Sequence, residues 1–451
     1  MGFNKLFTLL FRSGSSRTLA VKKNIISSVF LRGISIVVNF MLVPLTIGYV
    51  SPELYGVWLT VSSIMTWISF LDIGFTQGLK NKLTEAIAYE DWDRGKSLVS
   101  TTYVMMVMIF LPICLLLESL IPHINWCSLL NVDIVYEAEI KRVMYAMIAF
   151  FCLQMIVNVL VSVIAAFQRV ALSNSFTVIG HTLSLIIIFI LTKTTQGSLL
   201  ALAFAISAMP ILVTLIASFV LFRGKYARIA PSLKSFDKNY VKELFSLGYK
   251  FFIINIQVVV LYQSTNILIS NLSSPLDVTV YNIAYKYMNI SMMLYTIITA
   301  PLWPAYTDAY AKQDFEWMKN TRSKMQKVLL LSMCCCVLMC LISQPVYKLW
   351  IGDEVFVPMQ MTILVALYVM AYCWMNLNGT LIVGMGKVKL ETIMAVVGMC
   401  LHIPLSIILG NYIGAYGVVL SMLLINFIYA LVLNTQVKKI LNKTAKGIWI
   451  Q

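Results

Sequence analysis

Apolar runs of about twenty residues recur from one end of this 451-residue chain to the other. In the run 25–45, Arg32 is the only charged residue. A helix needs roughly 18–20 consecutive apolar residues to cross a lipid bilayer. The chain is 60% hydrophobic and 12% charged, whereas a soluble domain carries about twice that charged fraction. The sequence therefore predicts an all-α, polytopic membrane protein.

The positions of these runs predict about twelve spans. They are 25–49, 55–71, 98–121, 143–165, 171–192, 198–222, 249–271, 280–303, 327–347, 359–379, 389–410 and 414–434.

Basic residues are concentrated in alternate loops. With both termini and the even-numbered loops placed inside, the inside takes 28 of the 34 basic residues, the outside takes four and the membrane two. This asymmetry predicts that both termini are cytoplasmic. Topology, together with attraction to anionic lipid headgroups, accounts for the net charge of +15 and leaves no reason to expect a nucleic-acid partner.

The chain also repeats itself. At an offset of 223 residues, 51–96 aligns with 274–319 without gaps, and twelve of the forty-six pairs are identical, where composition alone gives roughly three or four. We predict two parallel six-helix repeats around a central cleft. The predicted segments are an interfacial N-terminal segment (1–23), a first lobe (24–222), a basic linker (223–248), a second lobe (249–434) and a basic tail (435–451).

Polar side chains fall on one face of several predicted spans at 100° per residue. Arg32 and Lys286 are lone cations in otherwise uncharged spans, and such charges usually face water or a bound counter-charge. For Arg32, snorkelling to a headgroup is the alternative, and for the asparagines it is hydrogen bonding between helices. The residues predicted to line a substrate cavity are Arg32, Asn39, Asn255, Tyr262, Asn266, Lys286 and Asn289.

The stretch Ile47–Asn81, the helix that follows it at Thr84–Lys96 and the loop Phe167–Arg169 resemble the multidrug/oligosaccharidyl-lipid/polysaccharide (MOP) exporter superfamily. Within this superfamily, the chain is most similar to O-antigen flippases of the Wzx type. The resemblance implies a bacterial inner-membrane protein that moves an undecaprenyl-diphosphate-linked oligosaccharide between leaflets by alternating access. It also implies contact with membrane lipids, and work beside a polysaccharide polymerase and a chain-length regulator.

Three rivals differ in their expected residues. A multidrug or cation antiporter of the same superfamily is the main alternative, but it is expected to carry a carboxylate in span 1 or 7, and 25–50 and 250–274 contain none. A flippase for the peptidoglycan precursor is usually two spans longer. A polymerase or ligase has a large, charged external loop, whereas the longest external loop here, 122–142, is short.

The sequence predicts no catalytic residues and no metal site, so we interpret the chain as a transporter and not an enzyme. The run Cys334–Cys336 has no histidine nearby and fits small-residue packing in a helix. No cofactor is predicted, and H⁺ or Na⁺ coupling stays open.

Overall fold

Helices form the regular backbone structure of this protein, as seen in a computed structural model. The structure describes residues 16–450 apart from 69–73, 168, 300, 301, 303–305, 307, 308 and 311. At 16–29, 68, 77, 170, 246–262 and 297 it describes the backbone but not the side chain. No strand occurs among these residues. The predicted all-α class is confirmed.

We number the α-helices of the described residues in chain order. They are α1 (Ser16–Val50), α2 (Pro52–Ile68), α3 (Phe75–Ala88), α4 (Trp92–Leu120), α5 (Trp126–Leu130), α6 (Glu137–Val157), α7 (Val159–Ala166), α8 (Val170–Thr194), α9 (Leu199–Arg223), α10 (Lys238–Leu272), α11 (Pro275–Thr299), α12 (Phe315–Leu341), α13 (Ser343–Ile351), α14 (Met359–Met385), α15 (Lys389–Ile413) and α16 (Ala415–Leu441). Short 3₁₀ helices cover Ile121–His123, Ile134–Tyr136, Ala227–Ile229, Leu233–Ser235 and Gly447–Ile450.

Within the described part of the chain, nine helical stretches are long and apolar enough to cross a membrane. They coincide with the predicted spans 1, 3–6 and 9–12, so the chain is a multi-pass membrane protein. Helices α2, α10 and α11 occupy the other three predicted spans.

Two predicted spans are interrupted. The fourth breaks at Asn158, whose side-chain oxygen accepts a hydrogen bond from Gln154 Nε2 at 2.5 Å, and this turn separates α6 from α7. The ninth was predicted to run to residue 347, but α12 ends at Leu341. There the hydroxyl of Ser343 binds the carbonyl oxygen of Cys340 at 2.7 Å, and α13 begins.

The chain forms two compact units. The first contains residues up to Val50, Ile68–Trp126 and Ile134–Asn255; the second contains Ser51–Trp67, Cys127–Asp133 and Ile256 onwards. In the first unit α4 packs on α6, α6 on α9, α9 on α8 and α8 on α1. In the second, α12 packs on α14, α14 on α16 and α16 on α15. The spans thus follow the same packing order, 3–4–6–5 and 9–10–12–11, as the six-helix repeat requires.

The units do not coincide with the predicted lobes at every helix. Helix α2, placed by the sequence in the first lobe, belongs to the second unit, where Thr279 Oγ1 donates a hydrogen bond to the carbonyl oxygen of Pro52 at 2.6 Å. Helix α1 begins at Ser16, inside the segment predicted as interfacial, and residues 1–15 lie outside the described part. The lobe boundaries themselves stay a prediction.

The predicted basic linker is an ordered segment docked on the first unit. We call residues 224–245 the strap. The backbone N–H of Ser232 donates to Ser100 Oγ at 3.0 Å, and that of Asp237 donates to Thr101 Oγ1 at 3.1 Å. Tyr226 and Ile229 are buried at 2% and 1% exposure. Because α4 supplies hydroxyl acceptors, these two backbone donors of the strap are satisfied outside an α-helix.

The end of the strap is the start of α10, and an ionic cluster holds it. One carboxylate oxygen of Glu243 accepts from Lys82 Nζ at 2.9 Å and from Arg94 Nη2 at 2.8 Å. Glu85 completes the cluster at 3.2 Å from Lys82 and 3.5 Å from Arg94. A Cβ at Gly78 would overlap the carbonyl oxygen of Leu244, so glycine permits this close approach of α10 to α3.

The Glu243 carboxyl predicts a pH-dependent contribution to stability. Burial raises its pKa, but the hydrogen bonds and charges of Lys82 and Arg94 outweigh burial, and the net pKa lies below the ordinary 4.5. A lowered folded-state pKa means that the stabilisation is present above pH 4.5 and disappears as the pH falls through the folded-state value. Glu243→Gln should therefore lower stability by about 1 kcal/mol at pH 7, seen as a lower thermal midpoint of the detergent-solubilised protein.

The matched control is Glu316→Gln, because Glu316 is 83% exposed and 3.7 Å from Lys319. This variant should unfold like wild type. Equal midpoints for wild type and Glu243→Gln at pH 7 would show that the cluster does not hold the strap.

Candidate functional site

On α1 the predicted polar face is exposed. Arg32 and Asn39 are both exposed side chains, and Asn39 Nδ2 donates to the Ser35 carbonyl oxygen at 2.7 Å. The described residues offer Arg32 no hydrogen-bond or ion-pair partner. Further along the same helix face, Val43 and Ile47 are buried at 0% and 1%, so only the N-terminal part of the face is open.

On α11 the predicted cation is held by a tyrosine. Lys286 is half-buried, and its Nζ donates to Tyr55 Oη of α2 at 2.8 Å. Tyr55 is 3% exposed, so the hydroxyl is fixed in place. Among the described residues no carboxylate pairs with Lys286, and the ammonium keeps two N–H donors for another acceptor.

Asn266 and Asn282 form hydrogen bonds between helices. Asn266 Nδ2 donates to Ser63 Oγ at 2.9 Å, and Asn266 Oδ1 accepts from Asn282 Nδ2 at 2.8 Å. Both asparagines are at most 9% exposed. In this conformation Asn266 therefore acts in helix association, which was the alternative to a cavity role.

The remaining predicted residues are less informative. Asn289 is half-buried, and its buried Oδ1 has no hydrogen-bond partner among the described residues. The side chains of Asn255 and Tyr262 lie outside the described residues. The structure thus brings Asn266 and Lys286 into contact with two different positions on α2, Ser63 and Tyr55, and the cavity roles stay a prediction.

Helices α2 and α11 meet in a reciprocal contact at their N-terminal ends. A Cβ at Gly56 would overlap the Pro275 carbonyl oxygen, and Thr279 Oγ1 donates to the Pro52 carbonyl oxygen at 2.6 Å. Each partner of one contact is offset by 223 residues from a partner of the other. The contact is therefore symmetric between the two repeats, as in a twofold interface.

The sequence missed one buried cation, Arg322. It was counted among the cytoplasmic loop charges, but in α12 it is 9% exposed. Its Nη2 donates to Asn434 Oδ1 at 2.6 Å and to Asn378 Oδ1 at 3.3 Å. The spacing of Met318, Arg322 and Met325 on one helix face could have revealed its burial.

Metal ligands do not converge in the described part of the chain: no three His, Cys, Asp or Glu side chains form a group that could hold an ion. His402 is a buried core residue. Its side chain is fully buried, and its Nδ1 lies 3.1 Å from Ser421 Oγ and 3.3 Å from Ser406 Oγ.

The sequence of this chain matches two known protein families. Residues 21–310 match the family described as “Polysaccharide biosynthesis protein”. The chain belongs to this family. Residues 251–408 also match the family named MatE. A protein of Yersinia pseudotuberculosis described as “Putative O-antigen export protein” is 20% identical over 365 residues, which are 79% of this chain and 82% of that protein.

Two solved structures illustrate the fold of this polysaccharide biosynthesis protein. A multidrug resistance MATE family transporter of the MOP superfamily, in an inward-facing conformation, is similar with a TM-score of 0.77 at 13% identity over 91% of this chain and 96% of that one. The lipid II flippase MurJ, in an inward closed conformation, gives 0.69 at 15% identity over 92% and 87%. The resemblance to the MOP superfamily is confirmed, and the chain is a transporter of that superfamily.

Gly56 generates a prediction about the contact between the repeats. Gly56→Ala should force α2 away from the Pro275 backbone and lower stability by about 1–3 kcal/mol, measured as the thermal midpoint in detergent. Gly48→Ala is the control, because no described residue beyond the adjacent turns of its own helix lies within 4 Å of a Cβ there, and alanine favours a helix. An unchanged midpoint for Gly56→Ala would contradict the reciprocal contact.

The pair Tyr55–Lys286 should be energetically coupled. Tyr55→Phe and Lys286→Met each remove the 2.8 Å hydrogen bond. The double variant should therefore lose about 1–2 kcal/mol less stability than the two single variants lose together. The cycle is measured by thermal unfolding. Tyr412, which is 83% exposed, supplies the control: the stability changes of Tyr412→Phe and Lys286→Met should add in the double variant. If the stability changes of Tyr55→Phe and Lys286→Met also add, Tyr55 and Lys286 do not interact.

Proposed function

We propose that this transporter moves an undecaprenyl-diphosphate-linked oligosaccharide unit, of O-antigen or a related surface polysaccharide, from the inner to the outer leaflet of a bacterial inner membrane. The main support is the Lys286 ammonium. It lies in a helix with no other charge between 278 and 303 and is held by a neutral hydroxyl instead of a carboxylate. Such a cation is suited to an anionic cargo.

Arg32 is the second cation in this proposal. A guanidinium binds phosphate oxygens in a bidentate manner, and Arg32 is exposed on α1. Asn39 and Asn289 would add hydrogen bonds to the cargo, with Asn255 and Tyr262 as further predicted contacts. Asn266 would act by supporting α10 against α2.

The family and its relatives support the same cargo. The matched family is one of polysaccharide biosynthesis, and the relative from Yersinia pseudotuberculosis is described as an O-antigen export protein. We propose alternating access between the two six-helix repeats, which is the mechanism that transporters built from such repeats use. We propose cytoplasmic termini, no cofactor, and work beside a polymerase and a chain-length regulator.

Export of organic cations is the competing function, since residues 251–408 match the MatE family. A cationic membrane site disfavours it, because like charges repel in a medium of low dielectric constant. The two functions differ in the sign of the cargo, so they can be separated by experiment.

The decisive experiment measures the leaflet distribution of lipid-linked oligosaccharide in cells that lack this chain. Wild type should restore the outer-leaflet pool. Arg32→Ala and Lys286→Ala should restore it about tenfold less well or worse, since a hydrogen bond to a charged group contributes about 1.5–3 kcal/mol. Arg142→Ala, an exposed arginine of the predicted external loop, is the control and should rescue fully.

Normal sidedness in cells without the chain would refute the flippase function, and efflux of an organic cation would then be measured in the same strains. Full rescue by both alanine variants would leave the flippase function standing and remove Arg32 and Lys286 from the path. Collapsing the H⁺ or the Na⁺ gradient in the rescued cells identifies the coupling ion.

A further inference from the structure

Five exposed cations lie on one end of the first unit. They are Arg169, Arg223, Lys225, Arg228 and Lys234, and we call them the cationic surface. None forms an ion pair with an acid in the described part of the chain. Some of their side chains lie over aromatic rings. The Arg223 guanidinium lies 3.7 Å from the ring centroid of Phe219, and that of Arg228 lies 5.9 Å from the ring centroid of Trp92.

The position of the cationic surface relative to the membrane follows from two helices. Helix α8 begins directly after Arg169, and α9 ends at Arg223. Both helices are long and apolar enough to span the bilayer, they pack along each other, and the chain reverses between them. Arg169 and Arg223 therefore lie at the same membrane boundary, at the depth of the lipid headgroups.

The strap fixes the other cations at this boundary. The ring of Tyr226 contacts that of Phe167, with centroids 4.7 Å apart, which ties the strap to the loop that carries Arg169. Ile229 packs where Gly95 leaves room, and Ser232 is bound to Ser100. The cations are thus presented by an ordered backbone, which reduces the entropy lost when a ligand binds.

Like charges are held together without compensation. Partial burial and the nearby Arg169 guanidinium both lower the pKa of Lys225. The only acid between 223 and 242 is Asp237. Positive charges clustered in this way at a membrane boundary attract anionic lipids, by about a factor of five in affinity for each cation.

An apolar side chain adjoins the cations. Leu233, next to Lys234, is 84% exposed, and Phe236 is 38% exposed. Cations beside exposed apolar side chains are typical of surfaces that lie in the membrane interface.

We propose that the cationic surface is a binding site for the phosphate headgroups of anionic phospholipids in the adjoining leaflet. The first contact is with Arg169, Arg223 and Lys225 at the helix ends. Arg228 and Lys234 extend the site along the strap, and Leu233 inserts between headgroups. This proposal does not depend on which cargo is carried.

The test uses the full chain in nanodiscs of phosphatidylcholine with a small fraction of photoactivatable phosphatidylglycerol. After illumination, mass spectrometry maps the lipid adducts. We expect adducts within 167–236 about tenfold more frequent than with a photoactivatable phosphatidylcholine probe, and a marked decrease at high salt because the attraction is electrostatic. Equal labelling by the two probes would overturn the proposal.

The variant K225Q/R228Q/K234Q should lower phosphatidylglycerol adducts in this region at least tenfold. The matched control K141Q/R142Q/K348Q removes the same charge at the opposite predicted side and should leave them unchanged. If the triple variant does not assemble, Lys234→Gln alone should lower the adducts about fivefold, because Lys234 is exposed and forms no ion pair with any described residue. Unchanged adducts in an assembled variant would overturn the assignment.

A competition arm separates phospholipid from the other phosphate-bearing lipid. Undecaprenyl diphosphate is added at up to one-tenth of the phosphatidylglycerol content. Retention of the phosphatidylglycerol adducts supports the assignment. Their loss at that low content would overturn it and make the surface a capture site for diphosphate lipids.

Discussion

In lipid, a hydrogen-bonding group without a partner costs several kcal/mol, and this cost governs most of what the structure does. Hydrogen bonds within helices satisfy most of the backbone of the described spans. Most side-chain hydroxyls donate a hydrogen bond to a carbonyl oxygen of their own helix. Thr46 donates to the Leu42 carbonyl oxygen at 2.6 Å, and Thr60 donates to that of Gly56 at 3.0 Å. Other polar side chains in the described part of the chain instead reach another helix, and Lys286 and Arg322 are among them.

The features that follow from this constraint could be predicted from sequence. The helical class and the spans depend on the length of the apolar runs, and the repeat depends on an offset of 223 residues. Both properties are visible directly in the sequence. The lone cations were also visible, because Arg32 and Lys286 stand in runs without other charges. Their partners were not: nothing in the spacing of α2 indicates that Tyr55 meets Lys286, since that contact depends on how helices distant in sequence pack.

The strap and Arg322 show why other features were missed. Basic, polar stretches between spans resemble loops, but the acceptors that order the strap, Ser100 and Thr101, lie more than 130 residues earlier in the chain. Arg322 was judged by its charge, which favours water. In the structure, two asparagine amides replace water around its guanidinium, and a local sequence pattern cannot show distant partners of this kind.

Two equivalent contacts, Gly56 with Pro275 and Thr279 with Pro52, indicate one way in which such a chain can arise. Two identical six-helix proteins that dimerise around a twofold axis must make every off-axis contact twice. A fused gene duplicate inherits both copies and can then change each one separately. Here one copy has become a bare glycine against a carbonyl, and the other a threonine that donates to one. The pair of contacts thus has the form that a twofold dimer interface takes when both subunits are joined in a single polypeptide.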